Sequence, residues 1–380
     1  MHSALKFDID DFLAQYWQKK PILIKGGFSD FEDPLSPDEL AGLALEPQIE
    51  ARRVWRADDR WHAESGPFES YDHLGEADWT LLVQAVNQWH PGVQEIADAF
   101  RFIPGWRFDD VMVSFSTPGG GVGPHIDQYG VFIIQGEGTR HWRVGLPQNL
   151  QQFAANGALR HCENFVAEID EILTPGDVLY IPPGCPHEGY ADTPALNYSV
   201  GFRAPDARDL ISGFADHMLA HESVSRRFDD ADMAASTTHG RIDQQVMSQV
   251  KDLMAELLDD PQRLADWFGE MISDAKHDLD LEPVTPLYSL EELVLRMDHG
   301  DHLYRLAGVR CFYMEGSDQV FYMDGERYQL AEPDAEAIAL LCDQARICGP
   351  EVACLKQPQA LLEVLLPLVN QGYWYFEEDE

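Results

Sequence analysis

The sequence predicts three parts in order: a mainly β barrel domain, a helical segment and a C-terminal mixed α+β domain. Three observations carry this. Between residues 111 and 202, short apolar runs are separated by glycine- and proline-rich turns, the punctuation of successive barrel strands. From about residue 206 to 283 the apolar period becomes helical, and beyond Pro283-Val284-Thr285-Pro286 helices and short strands alternate. The expected limits are 1–205, 206–283 and 284–380.

Each element has a local reason. Residues 11–17 read as a helix and 21–25 as a strand, residues 51–79 mix short strands and loops, and 77–100 read as mainly helical. Within the barrel, Val131-Phe132-Ile133-Ile134 is an apolar strand closed by the turn Gly136-Glu137-Gly138, after which Arg140-His141-Trp142-Arg143-Val144 begins another. Later, Thr174-Pro175-Gly176-Asp177 turns the chain into Val178-Leu179-Tyr180-Ile181, which Pro182-Pro183-Gly184 stops. In the middle segment Val246, Val250, Leu253, Met254 and Leu257 recur at i, i+4, i+7, i+8 and i+11, a helical stripe. In the last part, residues 289–297, 333–347 and 358–370 read as helices. Residues 303–330 read as strands broken at Glu315-Gly316-Ser317 and Asp324-Gly325, and 373–376 as an aromatic strand.

With 380 residues and a hydrophobic fraction of 45%, the chain is long enough and apolar enough for two or three cores. It has no apolar stretch of bilayer length, and the opening Met1-His2-Ser3-Ala4-Leu5-Lys6-Phe7-Asp8 lacks a secretion signal, so a cytoplasmic location and no membrane association are expected. Cysteines 162, 185, 311, 342, 348 and 354 form no CxxC pair, which argues against a zinc ribbon and leaves reduced thiols as the expectation. Sixty-six acidic against 27 basic residues give a net charge of -39, which repels nucleic acid and suits a basic protein partner, although acidity also simply confers solubility. Residues 289–380 carry 18 acids and six bases, which opposes DNA binding by the last domain. The acidic end Glu377-Glu378-Asp379-Glu380 reads as solvated.

The chemistry-bearing pattern is His125 and Asp127, following Thr117-Pro118-Gly119-Gly120-Gly121-Val122-Gly123-Pro124, with His187 much later in Ile181-Pro182-Pro183-Gly184-Cys185-Pro186-His187. Residues i and i+2 of a strand share a face, so His125 and Asp127 can grip one ion while a later strand brings His187. Two imidazoles and a carboxylate with open positions are the ligand set of non-haem Fe(II) oxygenases. An H-x-D pair also arises by chance, and a histidine among prolines can be an ordinary loop residue. With Zn2+ the same ligands would suit a hydrolase.

Longer runs point further. Gly119-Gly120-Gly121-Val122-Gly123-Pro124-His125-Ile126-Asp127-Gln128-Tyr129, Tyr180 through Tyr190, and Asn197-Tyr198-Ser199-Val200-Gly201-Phe202-Arg203-Ala204-Pro205 together resemble the JmjC-domain 2-oxoglutarate oxygenases of cupin fold. More narrowly they resemble the bacterial ribosomal oxygenases of YcfD/RoxA type, arginine hydroxylases of ribosomal protein L-sixteen. Trp17-Gln18-Lys19-Lys20-Pro21 is similar to the entry segment of that family. The resemblance implies a double-stranded β-helix, a middle helical dimer interface, a winged-helix-like last domain, and Fe(II), 2-oxoglutarate and O2 as the reaction's requirements. The far carboxylate of 2-oxoglutarate needs a cation, and Arg140 matches the family's basic position; Arg143, its competitor, points oppositely. Ser116 and Asn197 match co-substrate contacts, and Asp110, Met112, Tyr129 and Ser199 match the arginine pocket. Ordinary strand polar roles remain open for Ser116 and Asn197, a turn cap for Asp110 and a core role for Met112. The implied product is a β-hydroxylated arginine. The alternatives are a JmjC oxygenase acting on a histidine of another ribosomal protein, a cupin that does not use 2-oxoglutarate, and a non-catalytic acidic dimeric adaptor.

Overall fold

The computed structural model describes residues 5–58, 60–71, 74–157, 159–221, 227–231, 235 and 237–377. Residues 1–4, at the opening, and 378–380, in the acidic end, lie outside the described residues. The chain divides into two units, residues 1–204 with 276–280 and residues 205–275 with 281–380.

The first unit opens with helix α1 (Ile9–Gln15), where Asp8 accepts the Asp11 N–H at 3.0 Å and so satisfies a free donor of the first turn. Strand β1 (Ile22–Ile24) follows, then α2 (Pro37–Leu43), started by a Ser36–Glu39 capping box and by proline at its first position. Next come β2 (Ala51–Ala57), β3 (Arg60–Ser65), β4 (Trp79–Val83), α3 (Val86–Trp89) and α4 (Pro91–Asp98). Residues 79–83 differ from the helical expectation. Thr80, Leu81, Leu82 and Val83 are buried and pair with β2, so sheet burial overrides a weak local preference.

The barrel strands are β5 (Phe108–Ser116), β6 (His125–Ile126), β7 (Gly130–Gln135), β8 (Arg140–Val144), β9 (Gln152–Ala154), β10 (Arg160–Cys162), β11 (Ile169–Leu173), β12 (Val178–Ile181), β13 (Pro186–Ala191) and β14 (Ala195–Phe202). Apart from β9 and β10, which pair with each other, they fall in one sheet of order β1-β12-β7-β14-β5-β4-β2-β3 and another of order β11-β8-β13-β6. Val131, Ile133, Leu179 and Ile181 from the first pack with Trp142, Val144 and Leu173 from the second, which makes the interior of a double-stranded β-helix.

Alternation assigns the two faces. On β14, Leu196, Tyr198, Val200 and Phe202 point out, and on β5 so do Val111 and Val113, into a core shared with α1 and α4. Asn197 and Ser199 on β14 and Met112 and Ser114 on β5 therefore point in, and they pair across the strands as Asn197 with Ser114 and Ser199 with Met112. Strand β7 is buried throughout because both of its faces are covered, which explains its unbroken apolar run. Phe132, with no exposed surface, lies 4.5 Å from Phe100, 4.8 Å from Tyr180 and 5.3 Å from Phe12 between ring centroids, tying α1 to the barrel.

The second unit contains α5 (Ala207–His221), α6 (Gln244–Ala255), α7 (Pro261–Ser273), α8 (Leu290–His299), β15 (Leu303–Arg305), β16 (Cys311–Phe312), β17 (Val320–Met323), β18 (Glu326–Gln329), α9 (Ala335–Asp343), β19 (Arg346–Ile347), α10 (Gly349–Ala353), α11 (Pro358–Asn370) and β20 (Trp374–Phe376). Its strands pair as β16-β17-β18 and β19-β15-β20. The helix expected over 333–347 stops at Asp343, because Arg346 and Ile347 are taken up as a strand against β15. No helix among the described residues is long and apolar enough to cross a membrane.

Phe132→Ala removes the ring at the junction of α1 and the barrel and should cost roughly 3 to 5 kcal/mol. Urea unfolding measures it, and a loss under about 1 kcal/mol would show that the junction does not depend on this ring.

Candidate metal centre

The antiparallel pairing of β13 with β6 sets His187 directly opposite His125, and Asp127 follows two residues after His125. Each imidazole is oriented by its own turn. His125 Nδ1–H donates to the Gly123 carbonyl at 2.9 Å, and His187 Nδ1–H donates to the Cys185 carbonyl at 3.0 Å. Both Nε2 lone pairs are thereby left for a common point, the tautomer a metal ligand needs. Asp127 Oδ2 lies 3.8 Å from His125 Nε2 and 3.6 Å from His187 Nε2, and the ring centroids are 4.2 Å apart. Among the described residues these three are the one cluster of such groups with ligand atoms within 4.8 Å of one another. His187 is buried, and burial first, then His125, lowers its pKa to about 4, so it is neutral and able to ligate at neutral pH. Gly123 has φ +81°, and a Cβ there would lie 2.4 Å from the His161 ring, so glycine is required where the turn presents its carbonyl to His125.

On the same interior, Arg140 is 3% exposed. Its Nη1 donates to Asn197 Oδ1 at 3.1 Å and Ser114 Oγ at 3.3 Å, its Nη2 donates to the Gly189 carbonyl at 3.2 Å, and it lies 5.0 Å over the Trp142 ring. No carboxylate among the described residues pairs with it, and both its Nε and Trp142 Nε1 are buried without a partner. Burial pulls its pKa down to about 10, which still leaves a full positive charge at neutral pH. A buried cation without an anion is costly, so this arrangement fits a ligand that brings a carboxylate. The Trp142 ring, against this guanidinium, also lies 6.3 Å from the His187 imidazole, tilted by 32°. Gly189 makes room for it, since a Cβ there would meet the indole at 2.7 Å.

The remaining expected residues fall as follows. Asn197 bonds Arg140 and donates to Gln135 Oε1 at 2.8 Å. Ser116 lies on the same strand face but is bonded to the Thr80 hydroxyl at 2.9 Å. Arg143 points outward to Glu188 and Asp170, as alternation requires. Met112 and Ser199 are cross-strand neighbours, both half-buried. Next to them the β5–β14 register shifts, so that Asp109 and Asp110 sit in a bulge opposite Gly201. Asp110 Oδ2 accepts the Ala85 N–H at 2.9 Å, and burial first, then Asp109, pushes its carboxyl up to about 6. Tyr129 stacks under Arg203 at 5.1 Å, Arg203 pairs with Asp109, and burial raises the Tyr129 phenol.

The sequence alone does not single out Ser114, Gln135, Trp142 or His277. Ser114 was detectable in principle, because it is two residues from Met112 and so shares its face. Gln135, the polar end of the apolar β7 run, was a weaker signal. His277, whose Nε2 is 3.6 Å from Asp110 Oδ2, had none.

Residues 95–210 match the model of the JmjC domain, residues 256–375 that of the ROXA-like winged helix, and residues 170–278 that of the AraC-like ligand binding domain. Barrel, triad and the JmjC match define the class as a JmjC-type cupin protein. Over 99% of its length the chain is 46% identical to the ribosomal protein uL16 3-hydroxylase of Escherichia coli, all of which is covered. It is 32% identical over 70% of its length to a probable ribosomal oxygenase of Haemophilus influenzae, of which 67% is covered. An X-ray structure of E. coli YcfD matches with a TM-score of 0.93 at 44% identity, covering 99% of this chain and 100% of that one. The E. coli ribosomal oxygenase in complex with cobalt and 2-oxoglutarate matches with a TM-score of 0.90 at 44% identity over the same shares. The chain belongs to the uL16 3-hydroxylase family of ribosomal oxygenases.

Asp127→Ala should weaken Co2+ binding by at least roughly a hundredfold in calorimetric titration. Binding as tight as in the parent protein would place the ion elsewhere.

Proposed function

We propose that this protein is an Fe(II)- and 2-oxoglutarate-dependent dioxygenase that hydroxylates the β-carbon of an arginine in ribosomal protein uL16, also called L-sixteen. The observation that carries this is the polar row inside one barrel. It comprises the guanidinium of Arg140, which pairs with no carboxylate among the described residues, the His125, Asp127 and His187 cluster, and Asp110, one of whose carboxylate oxygens takes no hydrogen bond among the described residues.

In this reading His125, Asp127 and His187 hold the iron. With O2 and 2-oxoglutarate, the bound iron supplies oxidative decarboxylation to succinate and carbon dioxide and insertion of one oxygen atom into a C–H bond. Arg140 binds the far carboxylate of 2-oxoglutarate through its planar fork, and Asn197 and Ser114 hold that fork in place. Gln135 fixes the Asn197 amide, Ser116 with Thr80 closes that end of the row, and Trp142 keeps water from the guanidinium. At the other end Asp110 takes the substrate guanidinium, while Met112, Tyr129 and Ser199 flank its methylene stem.

The three functional parts of this reading are an oxygenase domain over 1–205, a dimerisation region over 206–283 and a winged-helix-like domain over 284–380, whose acidity argues against DNA binding. Self-association is supported by α5 and α6, where Ile211, Leu219, Met247 and Met254 leave more than half of their surface exposed. A second copy covers them, and uL16 is met in the cytoplasm, where it is made. Leu219→Glu together with Met254→Glu should turn a dimer into a monomer in sedimentation velocity. A parent protein that sediments as a monomer would contradict the assignment.

The reaction itself is tested by incubating uL16 with the protein, Fe(II), 2-oxoglutarate and oxygen, followed by fragment mass spectrometry. A gain of one oxygen atom on an arginine is expected. The same gain on a histidine would overturn the arginine pocket.

A further inference from the structure

The two oxygens of Asp110 have different surroundings. Oδ2 accepts the Ala85 N–H and faces His277 Nε2 at 3.6 Å, whereas Oδ1 takes no hydrogen bond among the described residues and lies toward Gly201, where an added Cβ would sit 3.5 Å from it. His277 reaches this point by an unusual route. Residues 276–280 lie in sequence between two stretches of the second unit, yet they pack as part of the first. The imidazole's other nitrogen, Nδ1, is 4.0 Å from Glu50 Oε2, so His277 stands between two carboxylates. Behind it opens a cavity of about 220 Å³ lined by Glu50, Gln84, Gln88, Trp89 and Lys276, which gives the imidazole access to solvent.

We propose that His277 is a positioning residue for the substrate, holding the back oxygen of Asp110 so that the front oxygen is presented, charged, to the target guanidinium. This deepens the arginine-hydroxylase reading and rests on it. Desolvation and the neighbouring Asp109 both favour the protonated acid, which has lost the charge a guanidinium pairs with. Against them stand the Ala85 N–H, His277 and Arg203. Arg203 is mostly exposed and already committed to Asp109 and the Tyr129 ring, so His277 is the basic side chain directed at Asp110 itself. Lys276 and Asp278 flank His277 in the chain and Glu50 faces it, so its own surroundings carry both signs. At 3.6 Å the contact is electrostatic rather than a hydrogen bond, so it acts through charge.

The test uses the full-length protein, iron-loaded, with a uL16 peptide containing the target arginine. Replacing the basic imidazole by an amide, His277→Gln, should raise KM for the peptide roughly tenfold with kcat little changed. It should also move the acidic limb of kcat/KM toward neutral pH by roughly one unit, because Asp110 without this basic neighbour protonates more readily. His277→Lys, which keeps a basic group at this position, should bring both back most of the way. A neutral variant with unmoved KM and pH limb, or a loss confined to kcat, overturns the proposal. Asp110→Asn separates the two layers. If that variant still hydroxylates the arginine peptide with its parent KM, the arginine-anchor reading itself fails. If Asp110→Asn is impaired while His277→Gln is silent, only the role of His277 fails.

Discussion

The register of β13 on β6 is the constraint on which the rest of the structure depends. His187 lies opposite His125 only in that register, and a slip by one residue would turn one imidazole to the other side of the sheet. The register is held from outside the site. Strand β13 also pairs along its length with β8, from His187 opposite Val144 to Ala191 opposite Arg140, so the same alignment that brings the two histidines together aims Arg140 into the barrel. Pro-Pro-Gly before β13 and Gly-Pro before β6 end the preceding segments and place Cys185 and Gly123 where their carbonyls receive the imidazole N–H groups.

A second constraint is the cost of a polar interior. Strands β5 and β14 are apolar on the outer face, where aromatic rings from α1 and from the strands interlock, and polar on the inner face. The outer face supplies the stability that permits an inner row of amide, hydroxyl and guanidinium groups, each removed from water. Arg140 is the extreme member: three hydrogen bonds to neutral acceptors satisfy part of its fork, and its charge is left for something the protein does not itself supply. A fold selected for stability alone gains nothing from that arrangement. The unpartnered Nε of Arg140 and Nε1 of Trp142 are therefore read as features of function.

Much of this was legible in the sequence because it depends on short periods. The two-residue spacing of His125 and Asp127 and the alternation that separates Arg140 from Arg143 need no knowledge of the fold, and the Pro-Gly turns mark where strands end. What escaped needed register or long-range contact. Ser114 and Ser116 share a face, and only the pairing of Ser114 with Asn197 and of Ser116 with Ala195 tells which hydroxyl meets Arg140. Strand β4 resembles helix in sequence because its few residues adjoin two short helices. Asp110 fits either a turn cap or an anchor by residue type, and in the structure it accepts a backbone N–H with one oxygen while leaving the other open. His277 lies 167 positions later in the chain, with no periodicity to announce it.

The most direct measurement is an anaerobic crystal structure of the protein soaked with Co2+ and 2-oxoglutarate. The account predicts one ion bound by His125, Asp127 and His187, with the far carboxylate of the 2-oxo acid seated on Arg140. An ion held by other side chains, or a carboxylate resting on Arg143 or in solvent while Arg140 stays unpaired, would contradict it.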